Sequence, residues 1–223
     1  LAELYYQAGN DNYIEAMQKY DLQLEELERQ NIDDPNLTEP QKNYEKPLKL
    51  YQKIIDDFSH SDLYDDAIYN KAFLLEELGQ IEQAVDVYQK LVNELQSGRY
   101  TPEALMRIAE YHFNPPVNNI EHAISYYKRI LEYRESPKYD EALYRLGWCY
   151  YRLNNYPEAV AYFTLLADDV HRAKTLDPWH HYTNPALRDE SIEYIGISFL
   201  DHGGVEGAVD YIKSIGGREY GVE

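Results

Sequence analysis

Residues 139–167 read YDEALYRLGWCYYRLNNYPEAVAYFTLLA, and this stretch decides the fold. Two apolar stripes with the spacing of a helix face lie on either side of Asn154 and Asn155. The first stripe consists of Leu143, Leu146, Gly147 and Tyr150, and the second consists of Tyr156, Ala159, Phe163 and Leu166. The small residues Gly147 and Ala159 fall where two helix axes would cross at close range. The stretch therefore predicts two short helices folded into a hairpin.

The same pattern recurs along the chain, because one hairpin leaves an apolar face in water and needs a neighbour to cover it. Alignment of Ala84 with Ala159 places on the stripes Ile68, Ala72, Leu75, Ile81, Tyr88 and Leu91. Alignment of Ala208 with Ala159 places there Ile192, Ile195, Gly196, Phe199, Val205, Ile212 and Ile215. A further hairpin is predicted around the loop 114–119, and the apolar residues of its two helices are Leu105, Ile108, Ala109, Ile120, Ala123, Tyr127 and Ile130. Four stacked hairpins in an all-α fold are the prediction.

The pattern L-x2-L-G-x2-Y followed by A-x3-F in residues 143–163 resembles the signature of the tetratricopeptide repeat. This resemblance implies a right-handed superhelical solenoid of helical hairpins. More broadly, residues 50–92 and 136–163 resemble bacterial cell-envelope proteins of this repeat class, associated with outer-membrane assembly and the Tol-Pal system. That resemblance covers most of residues 44–215 and implies a periplasmic or cell-envelope location. It transfers no active-site residue, since the motifs mark none.

Four segments follow from these patterns. Residues 1–58 form an irregular N-terminal helical region, 59–170 hold three hairpins, 171–189 are an inserted loop, and 190–223 hold the last hairpin and a tail. Two pairings remain open at the N-terminus: residues 1–30 form one hairpin, or a helix near 12–30 packs on a helix near 44–58. Pro47 fits the latter helix only if it lies in the first turn.

Composition excludes several classes of partner and site. The chain has 40 acidic and 21 basic residues and a net charge of −19, so its surface repels phosphate backbones, and nucleic-acid binding is not expected. Cys149 is the only cysteine, which excludes an intrachain disulfide, and we interpret it as a packed residue. No apolar run has membrane-spanning length, so no direct membrane insertion is expected in this segment. Because residue 1 is Leu inside a periodic segment, we expect a piece of a larger protein.

The predicted function is protein binding by the concave groove that the first helices of stacked hairpins line. Offsets from the apolar stripes assign to this groove Tyr69, Asn70, Phe73, Glu76, Met106, Arg107, Glu110, Tyr144, Arg145, Trp148, Tyr151, Arg152, Glu193 and Ile197. Aromatic residues, Met and Arg are enriched in protein interfaces, and a peptide or a helix fits such a groove. The alternative is that some of these rings pack against neighbouring helices. Some tetratricopeptide domains clamp a carboxylate with Lys and Asn, but Tyr69 and Phe73 hold those places here, so that recognition is not predicted.

The segment 171–189, HRAKTLDPWHHYTNPALRD, interrupts the repeats and is a candidate contact loop. Its candidate contact residues are Trp179, His180, His181 and Tyr182. In the alternative interpretation, Trp179 and Tyr182 pack against the neighbouring hairpin. A ligand- or metal-sensing module that closes this loop over the groove is the second functional hypothesis, with zinc held by His171, Asp177, His180 and His181. Adjacent histidines rarely bind one ion, so we predict no metal site.

Catalytic motifs do not occur in the sequence. There is no glycine-rich phosphate loop, no G-x-S-x-G and no H-E-x-x-H, and the many carboxylates lie at positions that periodicity assigns to solvent. The sequence therefore predicts a protein without enzymatic activity or a cofactor. Self-association through exposed end hairpins is a further prediction about partners.

Overall fold

The computed structural model describes residues 1–32, 37–176 and 184–217. Every regular element among these residues is an α-helix, which confirms the predicted all-α fold. The helices are α1 (Ala2–Gln30), α2 (Glu45–Asp57), α3 (Tyr64–Glu77), α4 (Ile81–Glu94), α5 (Thr101–Phe113), α6 (Ile120–Ile130), α7 (Lys138–Arg152), α8 (Tyr156–Leu176), α9 (Pro185–Asp201) and α10 (Gly204–Ser214).

The chain divides into two compact units, Leu1–Tyr100 and Thr101–Glu223. In the first unit α2 contacts α1 and α3, and α3 and α4 form a hairpin. In the second unit α5 and α6, α7 and α8, and α9 and α10 form hairpins, and α6 contacts α7 as α8 contacts α9. All four predicted hairpins are therefore present. Within the second unit, the second hairpin packs on the first, and the third hairpin packs on the second.

The turns of all four hairpins contain a residue in the left-handed region of backbone space, at the same place in the repeat. These residues are Gly79 (φ 71°), Asn118 (φ 48°), Asn154 (φ 57°) and Gly203 (φ 93°). Each lies five positions before the alanine that the alignment equates with Ala159. Glycine and asparagine adopt this conformation at low cost, so the turn chemistry and the apolar stripes specify the same hairpin.

Close helix contact at the centre of the third hairpin depends on Gly147. A Cβ atom built on this residue would lie 2.4 Å from Cε1 of Phe163, and Phe163 and Ala159 are fully buried. Ala84 and Ala123, at the position of Ala159 in their own hairpins, are also buried. Small residues at the crossing let the two backbones approach closely, as the sequence pattern predicts.

The last hairpin departs from the predicted burial. Val205 was assigned to a buried stripe but is 76% exposed, and Ala208 is only half-buried. Ile81, assigned to a stripe in the first regular hairpin, also lies at the surface. The reason in the last hairpin is that α10 contacts α9 on one side and, among the described residues, has no following helix packed on the other.

The N-terminal region resolves the two open pairings. Residues 2–30 form the single helix α1, so the prediction of a hairpin within residues 1–30 is wrong. Gly9 does not break this helix; an added Cβ there would lie 3.0 Å from the Asn43 carbonyl oxygen, so the glycine permits close approach. Helix α1 packs on α2, as in the second alternative, but through its first half, where Tyr6 contacts Tyr44. Pro47 lies in the first turn of α2, as predicted.

Both ends of the predicted inserted loop 171–189 are helical, which corrects that prediction for the described part of the segment. Helix α8 continues through His171 to Leu176, and α9 begins at Pro185 with Asn184 as its N-cap. The side chain of Asn184 accepts a hydrogen bond from the backbone N–H of Ala186 (3.1 Å). Both ends of the segment are helical because helix propensity and a good N-cap suffice there without a continuous apolar stripe.

Candidate functional site

The first helices of the three hairpins in the second unit lie side by side, since α5 contacts α7 and α7 contacts α9. We define the first-helix face by the following residues of these helices: Glu103, Arg107, Glu110, Lys138, Glu141, Tyr144, Arg145, Trp148, Tyr151, Arg152, Glu190, Glu193, Tyr194 and Asp201. Most of them are half-buried, and Arg152, Glu190, Glu193 and Asp201 are exposed.

Ion pairs connect α5 to α7 across this face. Nε of Arg145 lies 2.8 Å from Oε1 of Glu110, and the buried Tyr127 of α6 donates its hydroxyl hydrogen to the same carboxylate oxygen at 2.5 Å. Arg152 donates from Nη1 to the carbonyl oxygen of Phe113 (3.0 Å), and its guanidinium lies 4.6 Å from the Phe113 ring centroid. Arg145 and Arg152, predicted to line a groove, therefore hold two repeats together.

A second group of charges lies at the N-terminal ends of the same helices. Lys138 Nζ lies 3.1 Å from carboxylate oxygens of both Glu103 and Glu141, and Nε of Arg107 is 3.1 Å from Glu103. Burial opposes the charge of Lys138, but the two carboxylates prevail and raise the pKa of its ammonium group. Arg107 is thus part of a network within the face rather than an isolated groove cation.

Aromatic rings fill the contact between α7 and α9. The centroid of the Trp148 ring lies 4.4 Å from that of the Tyr194 ring and 5.7 Å from that of the Tyr151 ring, and both pairs are packed edge to face. The Tyr144 hydroxyl donates to Oε2 of Glu190 (2.6 Å). Edge-to-face packing of this kind adds about 1 kcal/mol beyond area burial, so these rings stabilise the stacking of two repeats as well as forming a surface.

Two tyrosine hydroxyls on this contact reach carboxylates of α9. Burial, followed by the hydrogen bond to Glu190, raises the pKa of Tyr144 to about 12. Tyr151 donates to Oδ2 of Asp201 (3.0 Å), and that hydrogen bond is the main cause that raises its pKa. A neutral hydroxyl does not cancel a carboxylate charge, so the α9 edge of the first-helix face remains negative.

Several predicted groove residues have other positions. Met106 is buried in the core of the second unit, so its assignment to a groove is wrong; it follows Leu105 on the inner side of α5. Ile197 is half-buried on α9. Glu193 is exposed on α9, and its role in a groove stays a prediction.

The predicted groove residues of the first unit pack mainly against other residues of the same unit. Tyr69 stacks on Tyr100 with ring centroids 4.3 Å apart, and Phe73 meets the edge of Tyr6 at 6.3 Å. The Asn70 amide donates to the backbone carbonyl oxygen of Asp66 (2.8 Å).

Glu76, also assigned to the groove, accepts a hydrogen bond from the hydroxyl of Tyr88 at 3.1 Å. Together with the rings, this bond ties α3 to the rest of its unit, as the packing alternative predicted.

A small cleft of about 290 Å³ opens on the first-helix face, near the N-terminal ends of α7 and α9. Its walls are formed by Pro137, Glu141, Tyr144, Arg145, Asn184 and Leu187. Apolar and charged groups share this lining, which suits a side chain of a docked segment.

The candidate contact residues Trp179, His180, His181 and Tyr182 lie outside the described residues, as does Asp177, so their role stays a prediction. Of the proposed zinc ligands, only His171 is described; it is half-buried on α8. In the described part of the chain, no three His, Cys, Asp or Glu side chains are grouped to hold a metal ion.

The thiol of Cys149 is fully buried, and burial raises its pKa to about 12. A nucleophilic cysteine needs a lowered pKa and access to solvent, so this thiol has the properties of a packing residue.

Six residues of the first-helix face were not predicted from the sequence, namely Glu103, Lys138, Glu141, Glu190, Tyr194 and Asp201. Glu190 precedes Glu193 by three positions and Tyr194 by four, and these helical spacings would have indicated a common side of α9. No local signal links Lys138 to Glu103, because the pair depends on how two hairpins stack.

Comparison with family models, curated proteins and solved structures gave the following similarities. One tetratricopeptide-repeat family model matches residues 66–94 and another matches residues 117–173. No curated protein matches the sequence. A solved structure described as the crystal structure of MamA protein is 13% identical, covers 91% of this chain and 92% of its own, and superposes with a TM-score of 0.47.

No described helix is both long enough and apolar enough to cross a lipid bilayer. Repeats of the matched kind generally mediate contacts between proteins. Both matched ranges lie on helices of the repeats: 66–94 covers most of α3 and all of α4, and 117–173 covers α6, α7 and most of α8. The chain therefore resembles tetratricopeptide repeats over these two ranges.

Proposed function

We propose that the protein is a non-enzymatic scaffold that binds a peptide or helix of another protein on the first-helix face of the second unit. The observation that carries this proposal is the aromatic surface of Trp148, Tyr151 and Tyr194, half-buried beside an acidic edge. Partly exposed tryptophan and tyrosine supply much of the binding energy of protein interfaces.

The charge of the face selects the chemistry of the partner. The cations of α5 and α7 are held by carboxylates or carbonyl groups, whereas Glu190, Glu193 and Asp201 leave the α9 edge negative. A segment with lysine or arginine next to apolar residues matches an aromatic surface with such an edge, through ion pairs and cation–π contacts. The net charge of −19 also attracts a basic partner at long range.

The test uses the fluorescence of Trp148. Of the two tryptophans in the chain, Trp179 is replaced by Phe, so that emission reports on the first-helix face alone. Peptides selected from a library that alternates basic and apolar residues are titrated into this variant. Binding on the face should change Trp148 emission, and the affinity should fall as salt rises.

Charge reversal at Glu193 tests whether peptide binding depends on the first-helix face or only on the acidity of the whole chain. Glu193 is exposed on α9, so Glu193→Lys should weaken peptide binding about fivefold at low salt, from about 1 kcal/mol of lost attraction. The matched control is Asp86→Lys, an exposed residue in the middle of α4 in the first unit, which changes net charge equally. Selected peptides that bind both variants alike, or that leave Trp148 emission unchanged, would contradict the proposal.

We also propose a periplasmic or cell-envelope location, which rests on the resemblance of residues 50–92 and 136–163 to envelope proteins of this repeat class. Fractionation of the source cells with an antibody to the chain tests it: recovery in the periplasmic or envelope fraction is expected, and recovery with cytosolic markers contradicts it.

A further inference from the structure

Lys71, on α3, is a half-buried lysine at a position where the other hairpins have buried aliphatic residues. The alignment of the hairpins equates Lys71 with Ile108, Leu146 and Ile195. Ile108 and Leu146 are fully buried, and Ile195 is 6% exposed. An amine therefore interrupts the apolar stripe of the first regular hairpin, and its methylene groups lie where the other repeats have core side chains.

The ammonium group of Lys71 is held by an uncharged partner. Its Nζ atom donates a hydrogen bond to Oε1 of Gln52 on α2. Two carboxylates on the helices that pack against α3 accept hydrogen bonds from uncharged donors. Oδ1 of Asp56 accepts from the Gln52 amide (2.7 Å), and Oε2 of Glu94 accepts from the Tyr64 hydroxyl (2.6 Å). An amide oxygen stabilises an ammonium charge less than a carboxylate does.

A second cation faces Lys71 from α4. Nζ of the exposed Lys90 lies 5.9 Å from the centroid of the Tyr64 ring, and Tyr64 precedes Lys71 by seven positions, on the same side of α3. Burial is the largest cause of the lowered pKa of Lys71; the charge of Asp56 opposes this shift, and the charge of Lys90 adds to it. The environment as a whole therefore favours the neutral amine.

Other half-buried lysines have the opposite environment. Lys42 pairs with a carboxylate oxygen of Glu77, and this hydrogen bond raises the pKa of Lys42. Burial opposes the charge of Lys138, but two carboxylates outweigh it and raise the pKa of that group as well. These two ammonium groups are kept protonated, whereas a larger fraction of Lys71 is the neutral amine, which is the nucleophilic form.

We propose that Lys71 is a site of acylation by acyl phosphates. Its ammonium group first loses a proton to water, and the amine then attacks the acyl carbon. An amide C–N bond forms, the C–O bond to the phosphate breaks, and inorganic phosphate leaves. Lys90 attracts the phosphate group, an attraction that a chain with a net charge of −19 offers at few places.

The acylated side chain suits this position in the fold. It keeps an N–H group that can donate to Gln52, and it loses a charge where the other repeats are apolar. The site belongs to the first unit and is independent of peptide binding on the first-helix face of the second unit.

The test is acetylation of the whole chain by acetyl phosphate, with the modified lysines identified and timed by peptide mass spectrometry. The internal control is Lys53, which is exposed on α2 beside Gln52. At pH 7.5, Lys71 should be acetylated about threefold faster than Lys53 or more, although Lys71 is less accessible. Lysine side chains generally lose their protons near pH 10.5, so access decides there and the ratio of the two rates should fall towards one.

Two variants test the cause of the reactivity. Lys90→Gln removes the facing cation and should slow acetylation of Lys71 about twofold, whereas Lys213→Gln, the same charge change at an exposed position of α10, should leave it unchanged. Gln52→Glu supplies a carboxylate and should slow it about fivefold.

Three results would overturn the proposal. These are acetylation of Lys71 no faster than that of Lys53 at pH 7.5, a ratio of the two rates that is the same at pH 7.5 and pH 10.5, and equal rates at Lys71 in the unaltered protein and in Lys90→Gln. If Gln52→Glu proves poorly folded by circular dichroism, Lys90→Gln decides, because Lys90 is exposed and its replacement leaves the core intact.

Discussion

The contact between Gly147 and Phe163 allows a quantitative test of the repeat core. In Gly147→Ala the new methyl carbon would lie 2.4–2.7 Å from three carbons of the Phe163 ring, well inside van der Waals contact. The ring is fully buried and is flanked by Tyr144 and Tyr194, with ring centroids 6.0 and 5.8 Å away, so it cannot simply rotate out of the way.

Two contributions of opposite sign set the change in folding stability that we expect for Gly147→Ala. Replacement of glycine by alanine inside a helix favours folding by about 1 kcal/mol. Overpacking of a rigid core opposes folding by about 3 kcal/mol when the neighbours are held on all sides. The variant should therefore be about 2 kcal/mol less stable, which corresponds to a melting temperature about 4–8 °C lower for a chain of this size.

The assay is urea and thermal unfolding followed by circular dichroism, with Gly196→Ala as the matched control. Gly196 holds the same repeat position, but an added Cβ there meets no atom within 4 Å, so this variant should gain up to about 1 kcal/mol. The free energy of unfolding should thus fall in Gly147→Ala and rise in Gly196→Ala, although both variants replace glycine by alanine at the same repeat position. Equal stabilisation of both variants would refute the claim that Gly147 is required for close contact with Phe163.

Three further predictions concern buried polar groups of the chain. Removal of one hydroxyl in Tyr127→Phe should lower the free energy of unfolding by about 1–2 kcal/mol in urea titrations, because it leaves Glu110 without its 2.5 Å donor. Cys149 should resist thiol reagents at pH 8 in the folded protein and react once urea unfolds it, since burial raises its pKa to about 12; rapid reaction without urea would contradict this. Burial raises the pKa of Tyr51 to about 12 and also raises the pKa of Tyr127, so above pH 10 the unfolded state loses protons that the folded state keeps. Stability should therefore fall by up to about 1.4 kcal/mol per pH unit for each buried tyrosine, and unfolding curves at pH 9 and pH 11 with equal midpoints would disprove it.

The repeat pattern of the sequence was sufficient to predict the hairpins. Apolar spacing, the small residues at helix crossings and the turn residues Gly79 and Asn154 all act within one hairpin, where sequence neighbours are also neighbours in space. For the same reason the first turn of α2 at Pro47 was predicted correctly. The continuous helix α1 was not predicted, because the apolar pattern left open a hairpin within residues 1–30, whereas Gly9 lies inside the helix and permits close approach to the backbone of Asn43.

The candidate site depended on contacts between hairpins, and these are not encoded in any one repeat. The sequence alone determined that the chain is all-α and built from hairpins, and which side of each helix is apolar. Only the tertiary structure decided that Arg145 pairs with Glu110, that Trp148 packs on Tyr194, and that Val160 is covered while Val209 is open. The physical reason is that periodicity identifies the face of a helix, whereas the partner of that face is set by how successive helices stack.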